Sequence, residues 1–293
     1  MTNHNIAEPT VRSKRLSRLG RLLAGSPLIA WFGAVVIVVY LLVALFTPWI
    51  APYGEAQVVS ESSFDPWNSQ FILGTDQLGR DMFSRLLYAG RNTIFISLVT
   101  TVLAFILGVG LGILAALKRG WFDEIMGRLV DVLMAIPALI FALIVLTIVG
   151  SSIVNLILII AVLDATRVFR LSRAVSMNIA MMEYVEIATS RGESLLWIVI
   201  REVLPNIMPT LLAEFGLRFC SVFLTISALS FLGLGIQPPT ADWGSMVRDN
   251  ASLLTYGDIT PLIPAGAIAL LTVATNFVVD RFIQITSGLR DEY

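Results

Sequence analysis

The chain has 293 residues, of which 56% are hydrophobic and only 14% are charged, and its mean hydropathy is +0.82. Soluble globular domains carry about 25% charged residues. The composition therefore excludes an ordinary soluble protein and predicts an all-α integral membrane protein. The net charge of −1 is less informative, because in a membrane protein the location of charges matters more than their sum.

Six apolar runs predict membrane-spanning helices, which need about 20 apolar residues each. The runs are continuous rather than alternating, which favours helices over the strands of a barrel. Pro137 should kink the third span, and the fourth has the shortest apolar part because it contains Asp164 and Arg167. The six predicted spans are Leu28–Ile50, Thr93–Leu117, Leu129–Val149, Ile153–Phe169, Ile207–Leu234 and Leu262–Val279.

Lys and Arg positions predict the orientation of these spans. If the N-terminal tail 1–27 is cytoplasmic, fifteen of these residues lie inside and four outside, with Arg218 in a span. Because cytoplasmic loops carry an excess of Lys and Arg, we expect that tail and the C-terminal tail 287–293 to be cytoplasmic. The first span should be retained, since its apolar run exceeds the roughly 7–15 residues of a signal peptide.

The longest predicted connection is the external segment 51–92. Asp81–Tyr88 has apolar positions at helical spacing and Thr75 is a suitable cap, which predicts an amphipathic helix at the membrane interface. A solvated interface helix without a special partner is the alternative. The polar, charged and glycine positions that stand out in the segment are Gly74, Thr75, Asp76, Gly79, Arg80, Asp81 and Arg85.

Within the predicted core, 93–286, a polar loop at 173–205 separates the fourth and fifth spans. Residues Glu183 to Arg191 have the spacing of a short amphipathic helix. Gly192 supplies the positive φ that commonly ends a helix. Pro205 is expected to break the chain just before the fifth span.

The pattern in this loop resembles the cytoplasmic loop by which permeases of ABC importers dock on their ATPase subunits. That family has Glu-Ala-Ala, three residues, Gly and then Leu-Pro at this spacing, and here Ile187 replaces the first Ala. The external string around Leu73–Tyr88, Ala135-Ile136-Pro137 and Leu229–Gly233 resemble the peptide/nickel class. The coupling residues implied by the resemblance are Glu183, Tyr184, Glu186, Ala188, Arg191, Gly192, Leu204 and Pro205.

The resemblance implies a type I ABC importer permease fold with six transmembrane helices, located in the bacterial cytoplasmic membrane and working by alternating access. It implies four kinds of contact: a second homologous permease, two ATPase subunits that hold ATP and Mg, an external substrate-binding protein, and membrane lipid. No nucleic-acid partner is expected. Peptides are the commonest cargo of similar permeases, and nickel complexes, glutathione, opines and sugars stay open.

Three ionisable residues within the spans are candidates for the translocation path: Asp164, Glu214 and Arg218. A charged side chain within a bilayer costs free energy, so such residues are functional candidates by default. Glu214 and Arg218 lie four apart on one helix face and are expected to pair, whereas Asp164 is harder to pair locally and could face a cavity. Asp131 is expected to pair with Arg128, three residues before it.

Unpaired carboxylates at mid-membrane would suit the alternative function, an ion-coupled secondary carrier. Catalysis by this chain is not expected. Its only Cys is Cys220 and its only His is His4, so no Cys/His nucleophile set or metal cluster can form within it. No Gly is followed by Lys, which excludes the usual ATP-binding loop. No catalytic residue, metal or cofactor is therefore predicted in this chain.

Overall fold

A computed structural model describes residues 28–286, and the predicted tails 1–27 and 287–293 lie outside this range. All regular elements of the described part are helices, which confirms the all-α fold class. The only extended pairing within it consists of two isolated bridges, Val58 with Arg80 and Thr75 with Asp81.

The helices follow one another with few long connections. We number the α-helices in chain order, and a π-helical turn, Val199–Val203, and a 3₁₀ turn, Ala251–Tyr256, lie among them. The α-helices are α1 (Leu28–Ile50), α2 (Met82–Lys118), α3 (Gly120–Ala135), α4 (Ala138–Val149), α5 (Ile153–Ile179), α6 (Glu183–Ser190), α7 (Leu195–Ile198), α8 (Leu204–Phe231), α9 (Trp243–Asp249) and α10 (Leu262–Thr286).

The predicted number of six spans is not confirmed by helix length and composition. Within residues 28–286, four helical stretches are long and apolar enough to cross a membrane, and a fifth span results if α3 and α4 count as one. Those two helices meet at an angle of 87°, next to Pro137, as the predicted kink required. The predicted fourth span corresponds to α5, which has 27 residues but carries several charges.

The predicted interface helix is not a separate element. Asp81 caps the N-terminus of α2, with its carboxylate accepting a hydrogen bond from Ser84 N at 2.7 Å. The helix then continues without a break for 37 residues to Lys118. The prediction was wrong because the helical spacing of Asp81–Tyr88 and that of the span after Thr93 belong to one helix, whose polar residues at the junction are buried by the external segment.

The most extensive helix contact joins α2 and α5, along a seam of small residues. A Cβ at Gly108 would lie 2.6 Å from Cβ of Val168, and one at Gly112 would collide with Oγ of Ser172. The Ser172 hydroxyl donates to the carbonyl of Gly108 at 3.0 Å. The close packing of α2 against α5 therefore depends on these two glycines, whereas nothing lies within 4 Å of a Cβ at Gly110.

Apolar clusters divide the bundle into two ends and a middle. The cluster at one end contains Met82 and Trp243 together with the external segment. A middle cluster joins α4, α5 and α8 around Leu146 and Ile226. The opposite end buries Val185 of α6 against α2, α7 and α8, so α6 and the external segment lie at opposite ends of the molecule.

Candidate functional site

The first candidate element is α6, a helix of eight residues that ends in a tight turn. Gly192 has φ +79°, Gly192 N donates to Thr189 O at 3.0 Å, and Glu193 N donates to Ala188 O at 3.2 Å. These two bonds form a Schellman motif, which satisfies the last carbonyls of a helix and places glycine in the left-handed conformation. The position of Gly192 therefore agrees with its predicted role in the turn.

The α6 helix has one buried and one exposed face. Val185 and Ala188 are 4% and 3% exposed and pack into the apolar cluster that joins α6 to α2, α7 and α8. Ala188 thus allows a close approach between α6 and its own chain. On the other face Tyr184 and Ile187 are 38% and 57% exposed, and Met181 just before the helix is 66% exposed.

The charged residues of this segment surround that exposed face. Glu183 and Glu186 lie in the first turn of α6, where negative charge is favourable near the helix N-terminus, and both are exposed. Arg191, at the other end, forms an exposed ion pair with Glu193 at 2.7 Å. The segment therefore presents an apolar patch with acidic residues at one end and an Arg at the other.

The return from α6 to the membrane is a continuous helical path, so Pro205 does not break the chain as predicted. The α7 helix is capped by Ser194, then the π-helical turn follows, and Leu204 N donates to Val199 O at its end. Pro205 lies in the first turn of α8, where its missing N–H is tolerated, and the wider π-helical turn accommodates the change. Leu204 is half-buried and Pro205 is exposed.

The three predicted translocation-path residues lie together in a charge cluster of four residues, Asp164, Arg167, Glu214 and Arg218, between α5 and α8. Arg218 Nε lies 2.8 Å from Glu214 Oε1, which confirms that predicted pair. Asp164 Oδ1 lies 3.4 Å from Arg167 Nη1 and 3.6 Å from Arg218 Nη1. Asp164 is therefore not isolated. Its partner Arg218 lies on another helix, α8, far away in the sequence, so local spacing did not reveal the contact.

The cluster is unevenly buried. Side-chain exposure is 5% for Asp164, 18% for Glu214, 20% for Arg218 and 43% for Arg167. Asp164 and Arg167 also line a cavity of about 20 Å³, which is space for about one water molecule. Removing one partner from such a buried network leaves an uncompensated charge, at a cost of about 3–5 kcal/mol.

Further ion pairs continue along α5 toward the end that carries α6. Arg170 lies 3.8 Å from Asp131 of α3, and Arg173 Nη2 donates to Asp123 Oδ2 at 2.6 Å. The predicted pairing of Asp131 with Arg128 was wrong, because Arg128 pairs instead with Glu124, one turn earlier in α3. The charges of α5 at positions 164, 167, 170 and 173 recur every three residues, so each lies beside the next and the row winds around the helix.

The external motif forms a buried, fully bonded turn before α2. Asp76 Oδ2 lies 2.7 Å from Arg80 Nε and 3.3 Å from Arg85 Nε, and its Oδ1 accepts from Leu78 N and Arg80 N. Thr75 accepts from Asp65 N at 2.8 Å. None of these motif side chains is exposed; those at 75, 76, 80, 81 and 85 are all at most 6% exposed.

The two glycines of the motif are required by backbone conformation. Gly74 and Gly79 have φ +71° and +69°, and a Cβ at either position would collide with a carbonyl oxygen of the external segment. The motif therefore holds the external segment on α2. It is neither the separate interface helix that we predicted nor a solvated helix.

The residues that connect α8 to α10, 235–261, pack on the external segment 51–92. Glu55 Oε2 accepts from Ala241 N and from Asn92 Nδ2, both at 3.0 Å, and Trp243 Nε1 donates to Leu86 O at 3.0 Å. Asp242 is fully buried and caps α9 by accepting from Ser245 N. Burial raises the pKa of the Asp242 carboxyl, although this hydrogen bond opposes the rise.

Several functional candidates escaped the sequence analysis. Ile187 on α6 and Met181 just before it form an exposed apolar surface, and Arg167 belongs to the charge cluster, although we used it only to predict the orientation and the short apolar part of the fourth span. The periodic charges of α5 would have revealed Arg167. Nothing local would have revealed Glu55, whose partners are distant in the sequence. No cluster of three or more potential metal ligands exists within residues 28–286.

A bundle of long apolar helices with charges at mid-helix and a helical segment outside the spans defines a polytopic transport subunit. Its family follows from two family models. One, described as binding-protein-dependent transport system inner membrane component, matches residues 108–287, and another, described as the N-terminal TM domain of oligopeptide transport permease C, matches residues 29–66. The chain belongs to the binding-protein-dependent transport system inner membrane component family.

Curated relatives agree with this assignment. The chain is 34% identical over 254 residues to the di/tripeptide transport system permease protein DppC of Pseudomonas aeruginosa, covering 85% of this chain and 82% of the relative. It is 32% identical over 267 residues to the glutathione transport system permease protein GsiD of Escherichia coli, covering 89% and 84% respectively.

Membership in this family makes the chain a multi-pass, non-enzymatic permease subunit of a peptide-class ABC importer. It follows that the chain works with ATPase and binding-protein partners. The alternative of an ion-coupled secondary carrier is therefore wrong.

Proposed function

We propose that this chain couples ATP hydrolysis by two partner ATPase subunits to the import of di- or tripeptides, or of a peptide-like solute such as glutathione, by alternating access. The proposed complex contains a second homologous permease and an external substrate-binding protein. ATP and Mg are bound by the ATPase subunits. The cargo is inferred from relatives whose names refer to di/tripeptide and glutathione transport.

The exposed face of α6 is the observation that carries the coupling proposal. Tyr184, Ile187 and Met181 expose apolar surface on a helix that no candidate span contains, and a contiguous exposed apolar patch outside lipid indicates a contact with another protein. On the opposite face Val185 and Ala188 pack against α2, α7 and α8, so a displacement of α6 would be passed on to these helices.

The proposed orientation places α6, α7 and both chain termini in the cytoplasm, where the ATPase subunits lie. The distribution of Lys and Arg supports this orientation. The external segment 51–81 and the α9 region then face outward, toward the binding protein. The charge cluster lies between these two surfaces, near the middle of α5 and α8, which supports a place for it on the translocation path.

The test compares two isoleucines of equal exposure at opposite ends of the molecule. Ile187 in α6 and Ile259 beside the 3₁₀ turn are both 57% exposed. We expect Ile187→Ser to reduce co-purification of the ATPase subunits roughly tenfold, because a central apolar contact of an interface contributes about 1–2 kcal/mol. Ile259→Ser should leave co-purification unchanged.

The measurement uses the permease co-expressed with the other subunits of its transport system, extracted in mild detergent and purified through a tag on this chain. ATPase bound per permease is quantified for the unmodified protein and for both variants. Equal ATPase recovery with all three proteins, at equal membrane levels, would contradict the assignment of α6 as the coupling helix.

A further inference from the structure

The half-exposed arginine of the charge cluster stands out because its bonds are weak. Arg167 Nη1 lies 3.4 Å from Asp164 Oδ1 and 3.4 Å from Ser221 Oγ, both at the long limit for a hydrogen bond. A guanidinium carries five N–H donors, and only Nη1 of Arg167 has a partner within residues 28–286. Its side chain is 43% exposed.

The remaining three members of the cluster do not depend on Arg167. Arg218 lies 2.8 Å from Glu214 and 3.6 Å from Asp164, so Asp164 keeps a cationic neighbour if Arg167 moves away. Because the cluster contains two carboxylates and two guanidiniums, the loss of Arg167 leaves one net negative charge. Asp164 Oδ2 already lacks a hydrogen-bond partner in the described part of the chain.

The surroundings exclude lipid as the neighbour of Arg167. A charged side chain of a spanning helix that is not fully paired faces a water-filled cavity or another subunit rather than hydrocarbon. Arg167 borders the small cavity beside Asp164 and Thr225. Farther along α5, Arg170 is 59% exposed, and its partner Asp131 of α3 is 67% exposed, so charged and exposed side chains continue beyond Arg167.

We propose that Arg167 binds a carboxylate group of the cargo during translocation, by exchanging its weak contact with Asp164 for a bidentate one. A guanidinium matches the planar, two-oxygen geometry of a carboxylate. The net negative charge left on Asp164, Glu214 and Arg218 then suits the ammonium group of the same molecule. The site is thus complementary to a zwitterion, and this inference rests on the proposed importer function.

The test uses the complete reconstituted complex in liposomes, with trialanine and trialanine amide as cargoes supplied through the binding protein. Each rate of uptake is divided by that of the unmodified complex for the same cargo, which removes the preference of the binding protein. We expect Arg167→Gln to reduce trialanine uptake roughly tenfold, the effect of losing one charge-assisted contact, and to reduce uptake of the amide less than about twofold. Arg167→Lys keeps the charge and should restore part of the trialanine uptake.

The matched control is Arg128→Gln, whose side chain is also exposed and ion-paired but lies on α3 away from the cluster. It should change neither uptake rate. Equal losses for both cargoes with Arg167→Gln, accompanied by weaker ATPase stimulation, would show a structural role and overturn the proposal, as would unchanged trialanine uptake. Absence of ATP-dependent uptake by the unmodified complex would instead contradict the proposed function itself.

Discussion

Replacement of Gly192 by valine should uncouple transport from ATP hydrolysis without preventing membrane insertion. Gly192 has φ +79°, and nothing lies within 4 Å of the position that a Cβ would occupy. The whole effect of a side chain is therefore conformational strain. The left-handed conformation costs an L-residue roughly 1–2 kcal/mol, and a β-branched residue is a genuine outlier there.

The strain acts on a helix with little stability of its own. The α6 helix has eight residues, well below the roughly 12–15 that an isolated helix needs to be stable in water, so its end depends on the Schellman turn at Gly192. Since about 1.4 kcal/mol corresponds to a factor of ten, Gly192→Val should lower the equilibrium constant for forming the turn roughly tenfold. Asparagine tolerates the left-handed conformation better, so Gly192→Asn should lie between glycine and valine.

The assay measures ATP-dependent uptake and ATPase activity in membrane vesicles, at matched permease levels. The control is Gly257→Val, because Gly257 has the same φ of +79° and equally open surroundings but lies at the end of the molecule opposite α6. We expect uptake to fall about tenfold with Gly192→Val and little with Gly257→Val. Normal uptake by Gly192→Val, or an equal loss with Gly257→Val, would refute the reasoning.

Two further predictions concern packing and pH. Gly112→Ala should destabilise the protein by about 1–3 kcal/mol, because its Cβ would collide with Ser172, whereas Gly110→Ala should be neutral. Thermal unfolding in detergent measures the difference, and equal melting temperatures of the two variants would contradict this prediction. Asp242→Asn keeps the cap acceptor and removes a buried charge. Burial raises the folded-state pKa of Asp242, so the stability contribution of this carboxyl is present at low pH and is lost as pH rises through that pKa. The advantage of the Asn variant in melting temperature should therefore grow with pH. A difference in melting temperature that does not change with pH would contradict this.

The four long apolar helices that could cross a membrane were predictable, because continuous apolar runs of this length have few alternative structures, whereas the count of six spans was not confirmed. The turn at Gly192 was also predictable, since a short amphipathic pattern followed by glycine is a local signal. Helix continuity was not. The Asp81–Tyr88 pattern joins the second span, and the chain passes Pro205 without a break, because tertiary burial and a π-helical turn decide these junctions and local periodicity does not record them.

The charge cluster shows the second limit of local reasoning. The pair between Glu214 and Arg218 follows from a spacing of four on one helix, and it was predicted. The contact of Asp164 with Arg218 depends on how α5 crosses α8, and no spacing within either helix contains that information. The three-residue period of charges along α5 includes Arg167 and could have indicated it. The same arginines also fit the bias of positive charge toward the cytoplasm, so the period by itself did not distinguish the two explanations.

The segment around α6 is connected to the charge cluster through the helices before and after α6. The α5 helix enters the segment, and the helical path of α7, the π-helical turn and α8 leaves it, so the cluster bridges the two arms that α6 joins. On its other side α5 is fixed to α2 by the seam at Gly108 and Gly112, where backbones approach too closely for a Cβ. The polar contacts between α5 and α8 at the cluster are longer, at 3.6 Å from Asp164 to Arg218 and 3.4 Å from Arg167 to Ser221. We therefore expect a displacement of α6 to change the long polar contacts of the cluster before it changes the close seam between α5 and α2.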